Sequence, residues 1–338
     1  MDVALGFDTS CYTTSVAAVD ETGTVVAFQR MLLPVRSGQR GLRQSEAVFA
    51  HVRQLPLLAS RVAEALGTAG ICAVAASCAP REGSDSYMPV FTVGEGHGRA
   101  TASLLRVPFY PVTHQQGHIA AGQLGNAEMD SRFVALHLSG GTTDLLLCEH
   151  GALTLLGATL DLNAGQLVDR IGVAMGLPFP AGPKLEALAL NNLLQTEALL
   201  PASLTRGDLD CHLSGAETQC LRWIAAETYP RERIAAEAFD LLARTVARMI
   251  TAACKHTGAR QALAVGGVAS STLLRKLIAD RMSRLNRTLD LRFGKPEYSA
   301  DNAAGVAWLG MRRYLAERKT GDGAGVTEAR QPGGDPTP

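Results

Sequence analysis

One pattern occurs twice in this chain and constrains its fold more than any other feature. "GFDTSCYTTSVAAVD" near the N-terminus and "HLSGGTTDLLLCEHG" from residue 137 share a plan of apolar strand, short hydroxyl-rich turn and second apolar strand. A third apolar run follows each copy, "TVVAFQ" after the first and "ALTLLGAT" after the second, and segments of helical period come next. Self-similarity at distant positions points to two related domains. Strands alternating with helices place the chain in the α/β class. At 338 residues and 46% hydrophobic content there is enough apolar material for two medium-sized cores.

Along the first half, "VALGFDTS", "SVAAVD" and "TVVAFQ" read as a three-stranded meander. "SEAVFAHVRQLPLLASRVAEALG" has helical period, with Ser45 as expected N-cap, Pro56 dividing it and Gly67 closing it. "ICAVAAS" is a buried strand, residues 79–90 a loop, 94–105 a glycine-rich helix, and "FYPVT" a strand leading into a helix from His114. The second half begins near residue 126. Three strands there precede helices at 163–176, 184–192, 214–227 and 231–257, the strand "QALAVGG", a helix at 271–285, the strand "LDLRFG" and a last helix at 301–318. The final stretch, 320–338, is rich in Gly and Pro and nearly devoid of large apolar residues, so it is expected to be a disordered tail.

A turn of Gly, Ser and Thr between two strands can direct backbone N–H groups at a phosphate. One such turn is ordinary; the same turn twice, at corresponding places, favours a ligand. A third glycine element, "LAVGGVASSTLLRKL", ends a buried strand at Gly266-Gly267 and opens a helix after Ser270. It is neither a GxGxxG nor a Walker sequence, but a helix N-terminus beside glycines admits an anionic ligand closely. Two strand-turn-strand loops and a strand–GG–helix are the parts of the actin/hexokinase-type fold, in which a nucleotide lies between two domains.

"VTHQQGHIAAG" places His114 and His118 four residues apart, on one face of a helix. Two imidazoles so placed can grip one metal ion, or can simply face water. Gln115 stands where a HExxH protease has its glutamate, so zinc-protease hydrolysis has no general base here. A metal site needs at least a third ligand. Asp301, beside Asn302 at the start of the last helix, is either that ligand or an N-cap, and spacing alone does not choose. The other histidines show no spacing that recommends them.

Composition narrows the function classes. The formal net charge is zero, and no apolar run is long enough for a membrane span. The seven cysteines form no CxxC pair, as expected for free thiols in a reducing cytoplasm. Between 271 and 319 there are eleven Lys/Arg against five Asp/Glu, an excess that can form a local basic face for RNA or a solvated helix surface.

Taken together, "GFDTSC", "THQQGH", "LSGGTTDL", "LDLNAGQLVDRIGVAMGLPFPAGP", "LSGAET", "VGGVASSTLLR" and "SADNAAGVAW" resemble, in order and over roughly 3–315, the catalytic subunit family of tRNA threonylcarbamoyladenosine synthesis. This is the glycoprotease or O-sialoglycoprotein endopeptidase-like family. The resemblance implies two actin-like domains with a nucleotide and metal cleft between them: 1–125 with 300–319, and 126–299. It implies one transition metal, iron or zinc, on His114, His118 and Asp301. It implies an adenine nucleotide contacted at Ser139, Gly140, Gly141, Asp169, Gly182, Gly266, Gly267 and Ser271. The implied reaction is acyl transfer from threonylcarbamoyl-adenylate to the exocyclic amine of an adenosine of tRNA. Implied partners are tRNA and the other subunits of the modification complex, with no membrane. No catalytic residue is assigned.

The chain departs from the family pattern at several motifs. The acidic pair of the first loop is Tyr12 and Thr13, two acids before Asp169 are lost with Gln166 at one of them, a lysine is Glu217, an asparagine is Ser271, and the Gly-Pro-Gly-Leu loop is Ala79 to Glu82. Loss of negative charge there, and Glu217 if it faces the phosphates, leads to the expectation of weak or no transfer. Asp85 and Glu82 of the altered loop are candidate replacements. Two readings follow: a transferase of this type, or a divergent paralog that binds metal and nucleotide and acts as a regulatory or scaffold partner.

Overall fold

The computed structural model describes residues 1–10, 12–34, 42–83, 87–191, 197–205, 207–299 and 303–320. Strands β1 (Asp2–Asp8), β2 (Thr13–Asp20) and β3 (Val25–Leu32) form the expected meander. Helix α1 (Gln44–Leu66) leads to β4 (Gly70–Ala79), which lies parallel to β1, and α2 (Phe91–Leu105) leads to β5 (Phe109–Thr113), parallel to β4. Helix α3 (His114–Gln123) follows. The second half repeats this plan with β6 (Arg132–Leu138), β7 (Thr143–Glu149) and β8 (Ala152–Ala158). Four helices come next: α4 (Ala164–Ala174), α5 (Gly182–Leu190), α6 (Ser214–Ala225) and α7 (Arg231–Thr257). Then come β9 (Gln261–Val265), α8 (Thr272–Leu285), β10 (Asp290–Phe293) and α9 (Ala304–Thr320).

The sheets have orders β3-β2-β1-β4-β5 and β10-β9-β6-β7-β8. Read from opposite edges they are one topology, with three antiparallel strands and then two parallel ones. The hydroxyl-rich turns occupy equivalent places and equal spans, 9–12 and 139–142. Buried on both faces, β1 and β6 read as continuous apolar runs rather than alternating ones.

The two halves exchange their last helices. The first sheet carries α1 and α2 on one face, around Leu5, Phe7, Leu55, Leu58 and Val62. Its other face is covered by α9, from the far end of the chain, through Val306 and Met311 against Ala4, Ala73, Ala75 and Val112. The second sheet carries α7 and α8 on one face, while α3, from the first half, covers the other through Ile119 against Phe133, Leu263 and Val265. Glycines permit the close approaches. A Cβ at Gly6 would lie 2.5 Å from the Ala303 carbonyl oxygen, and one at Gly305 would overlap the Gly117 carbonyl, where α9 crosses α3.

Three local expectations are corrected. Helix α1 is continuous through Pro56, which faces solvent while Leu55 and Leu58 on either side are fully buried; tertiary packing holds the helix across the missing N–H. Ser45 lies inside this helix, and Arg43 holds the N-cap position, its N–H donating to Glu46. Helix α2 begins at Phe91. Asp301, Asn302, Asp85 and the tail from 321 lie outside the described residues.

Candidate functional site

The start of α3 is fixed by a reciprocal cap. The Thr113 hydroxyl accepts from the Gln116 N–H at 3.1 Å, and the Gln116 side-chain oxygen accepts from the Thr113 N–H at 2.9 Å. With the first turn so locked, His114 and His118 project from one face, their Nε2 atoms 3.0 Å apart. Two nitrogens bonded to one ion at about 2.1 Å and near a right angle lie about 3 Å from each other, so the pair fits a shared metal. Asp8, at the end of β1 and fully buried, sets its Oδ2 3.1 Å from His114 Nδ1. A carboxylate there favours a proton on Nδ1 and leaves the Nε2 lone pair for an ion. Among the described residues no group of three or more His, Cys, Asp or Glu is placed to hold a metal. The third expected ligand, Asp301, lies outside them.

The second half contributes to the same place. His137, on β6, has its ring 4.6 Å from that of His118. Its cross-strand partner on β7 is Asp144, which is buried and accepts from the Gln115 amide at 2.8 Å. Arg81, in the loop after β4, lies 3.6 Å from the same Asp144 oxygen. On β2, Thr14 donates to Gln54 Oε1 at 2.6 Å and its oxygen lies 2.8 Å from His51 Nδ1. Burial of His51 pushes its pKa down to about 4, against the pull of Asp8.

The expected nucleotide residues lie in the second half of the chain, Ser139, Gly140 and Gly141 between β6 and β7, Gly266 and Gly267 after β9, and Asp169, Gly182 and Ser271 on or at the starts of helices. Gly266 has φ +98°, and a Cβ there would lie 2.3 Å from the Leu138 carbonyl oxygen, so only glycine brings this loop against the 139–142 turn. A Cβ at Gly165 would sit 2.6 Å from Gly140 Cα, and the Gly165 N–H donates to Ser139, which brings the start of α4 to the same turn. At Gly140, Gly141 and Gly267 a Cβ would meet nothing within 4 Å, so these backbones border open space. Among the described residues, none accepts from the N–H of Gly140, Gly141 or Thr142.

Asp169 accepts from the Ala181 and Gly182 N–H groups at 2.8 and 3.2 Å and pins the start of α5. Ser271 caps α8, accepting from the Leu274 N–H at 3.1 Å, and the Leu273 N–H reaches Glu186 of α5. Glu217 has its charge matched by Arg170 at 3.2 Å.

No sequence motif singles out Asp8, Asp144, His51, His137 or Arg81. The signal that could have found the two acids was the duplicated turn itself, since Asp8 closes the strand before the first copy and Asp144 opens the strand after the second. Part of the basic excess is committed internally: Arg275 bonds the Ala269 carbonyl, Arg281 pairs with Asp240, Arg292 with Asp290, and Arg313 bonds the Pro111 carbonyl. Burial pushes Cys72, Cys211 and Cys254 up to about 11 and Cys78 and Cys220 up to about 12, which leaves these thiols poor nucleophiles. Among the described residues no helix is long and apolar enough to cross a membrane.

Among solved structures, HypF from T. kodakarensis superposes with a TM-score of 0.63 at 13% identity, over 94% of this chain and 48% of that one. A ROK family glucokinase from Streptomyces griseus, in complex with glucose and AMPPNP, gives 0.54 at 12% identity over 92% of this chain and 99% of that one. The activator of the 2-hydroxyisocaproyl-CoA dehydratase from Clostridium difficile, with bound ADPNP, gives 0.53 at 13% identity, over 96% and 100%. These likenesses show the fold, two actin-like α/β domains. In sequence, the chain is 31% identical over 319 residues to a tRNA N6-adenosine threonylcarbamoyltransferase of Thiobacillus denitrificans, covering 93% of this chain and 92% of that protein. The profile of the family described by the same activity matches residues 37–308. The chain therefore belongs to the tRNA N6-adenosine threonylcarbamoyltransferase family.

Proposed function

We propose that this chain transfers the threonylcarbamoyl group of threonylcarbamoyl-adenylate to the exocyclic amine of an adenosine in tRNA. Alongside family membership, one observation carries the reading: the His114–His118 pair touches both duplicated sheets, His114 at Asp8 of β1 and His118 at His137 of β6. In this proposal the two lobes are 1–125 with 300–319, and 126–299. The nucleotide half of the donor lies on the second lobe, at Ser139, Gly140, Gly141, Asp169, Gly182, Gly266, Gly267 and Ser271. Asp169 and Ser271 act there by holding the starts of α5 and α8 in place, with their N-terminal dipoles favourable to phosphate.

The N–H groups of Gly140 and Gly141 face the phosphate and stabilise charge as the bond to it breaks. The attacking amine forms a C–N bond to the carbonyl carbon, the C–O bond to phosphate breaks, AMP leaves and the amine gives up one proton. Iron or zinc on His114, His118 and Asp301 would supply Lewis-acid polarisation of that carbonyl. Asp8 keeps His114 in the tautomer and orientation this requires. Asp8 and Asp144 place carboxyl groups beside the paired histidines and Gln115 independently of the acids lost at positions 12, 13 and 166. The partners are tRNA and the other subunits of the modification system, and the setting is the cytoplasm.

The test is reconstitution with unmodified tRNA, the carbamoyl-adenylate donor and partner subunits, followed by mass spectrometry of nucleosides. Threonylcarbamoyladenosine is expected in the digest, and His118→Ala should abolish it together with bound metal. Its absence, in a mixture where another family member succeeds, would overturn the reading.

A further inference from the structure

Behind α3 lies a cavity that takes no part in the proposed transfer. The helix presents His114 and His118 on one side. Gln116, Ile119, Ala120 and Gln123, about half a turn round the helix from the histidines, line a cavity of about 340 Å³. Phe133 of β6 and Leu153 of β8 continue its apolar lining, and Leu309 adds to it from α9. The volume is that of a small-molecule pocket. Since α9 packs on the first sheet whereas β6 and β8 belong to the second, parts of both halves border this cavity.

Charged groups of both signs border it, from different elements. Arg312 lines it from α9, and Glu128 and Asp130 line it from the segment before β6. Among the described residues the Arg312 guanidinium makes one hydrogen bond, to Gln123 Oε1 at 3.3 Å, and the Glu128 and Asp130 side chains make none. The backbone that carries the two acids is nevertheless fixed. Arg292 of β10 donates to the Ala127 and Glu128 carbonyls at 2.6 and 3.1 Å, and the Asp130 N–H donates to Gln261 of β9 at 2.6 Å. The acids are thus anchored to the second sheet, while the cation sits on the helix that covers the first. All three border a shared apolar floor, and an occupant of that floor meets both signs of charge at once.

We propose that this cavity binds a free α-amino acid with an apolar side chain. The carboxylate meets Arg312, whose planar fork of N–H donors matches it. The ammonium meets Glu128 and Asp130, and the side chain lies on Ile119, Ala120, Phe133 and Leu153. A plain apolar acid would leave both carboxylates without a counter-charge, and a plain amine would leave the guanidinium without one. A compound with both charges on one carbon and an apolar arm beside them answers the whole lining. Once bound, it bridges α9 to the second sheet and packs against the helix that bears the histidines.

The test is calorimetry on the full chain with leucine, with 3-methylbutylamine, which lacks its carboxylate, and with 4-methylpentanoate, which lacks its ammonium. Valine and phenylalanine, run with their own truncated analogues, cover smaller and larger side chains. The best amino acid should bind about ten- to hundred-fold more tightly than either of its analogues, the range of a charge-assisted hydrogen bond. Arg312→Gln should lower it to the level of the amine and leave the amine unchanged. Glu128→Gln combined with Asp130→Asn should lower it to the level of the acid and leave the acid unchanged. No binding by any of the three amino acids at millimolar concentration overturns the proposal. An analogue that binds as tightly as its parent makes the ligand a singly charged amphiphile and also overturns it, as does an amino-acid affinity unchanged in either variant. Should a variant fail to fold, the unsubstituted chain decides: the amino acid should slow modification of Arg312 by phenylglyoxal, read by peptide mass spectrometry, and an unchanged rate overturns the proposal. None of these measurements involves metal, donor or tRNA, so their outcome is separate from that of the transferase test.

Discussion

Replacing Asp8 by Asn tests the histidine site through a group that touches no ligand. Asp8 Oδ2 lies 3.1 Å from His114 Nδ1, and its Oδ1 accepts from the Ser10 N–H at 3.2 Å, with the whole side chain buried. Asn has the same shape but only one acceptor oxygen. If that oxygen faces Ser10, the amide NH2 meets His114 Nδ1 and draws the proton to Nε2, blocking the lone pair a metal needs. If the oxygen faces His114, the NH2 opposes the Ser10 N–H. In both cases a charge-assisted hydrogen bond, about 1.5–3 kcal/mol, becomes at best a neutral one of about 0.5–1.5 kcal/mol. Outer partners of metal-bound histidines typically govern about ten- to hundred-fold in affinity. We expect Asp8→Asn to weaken zinc binding by that factor, read by competition with a chromophoric chelator at neutral pH. The thermal unfolding of the metal-free variant separates this from loss of fold. Zinc affinity within twofold of the unsubstituted chain, with the fold intact, would refute the assignment of Asp8 as the orienting partner.

Gly266→Ala combines a φ of +98° with a Cβ 2.3 Å from the Leu138 carbonyl oxygen and should cost about 2–4 kcal/mol in urea denaturation. His51, lowered from 6.5 to about 4, gives a signed pH dependence. The unfolded chain gains its proton near 6.5 and the folded one only near 4, so stability is full above 6.5 and falls as pH drops toward 4. The loss, up to about 3 kcal/mol, should be absent from His51→Asn when acid unfolding of the two is compared. Ser271→Asn keeps a good N-cap, so stability should hold within about 0.5 kcal/mol. The longer amide should tighten AMP binding by calorimetry, and unchanged binding would remove this position from the nucleotide site.

The duplicated sheets were legible because strand and turn signals are local, and each half carries its own copy. Gly266 is legible for the same reason, since a backbone φ of +98° is a need written in residue type. What escaped was set by contacts between distant segments. Nothing in the spacing of Asp8 and His114, 106 residues apart, announces a hydrogen bond. His51 and His137 looked unremarkable because only packing brings one to Thr14 and the other to His118. Pro56 alone predicts a break, whereas the neighbours that hold α1 across it lie on β2 and β3. Glu217 read as a threat to phosphate because Arg170, on another helix, was not visible as its counter-charge.

The exchange of α3 and α9 dictates an order of assembly. A ribosome completes all five strands of the first sheet by Thr113, but the helix that roofs Ala4, Ala73 and Ala75 begins only at Ala304. Through most of translation that sheet face has no cover of its own, while α3 has no sheet to rest on until β6 and β9 exist. Neither lobe can therefore mature ahead of the other, and the chain should gain and lose its structure as one cooperative body. Severed near residue 125, the two fragments should each be incomplete alone and recover a native-like whole only when co-expressed, each lending the other its closing helix.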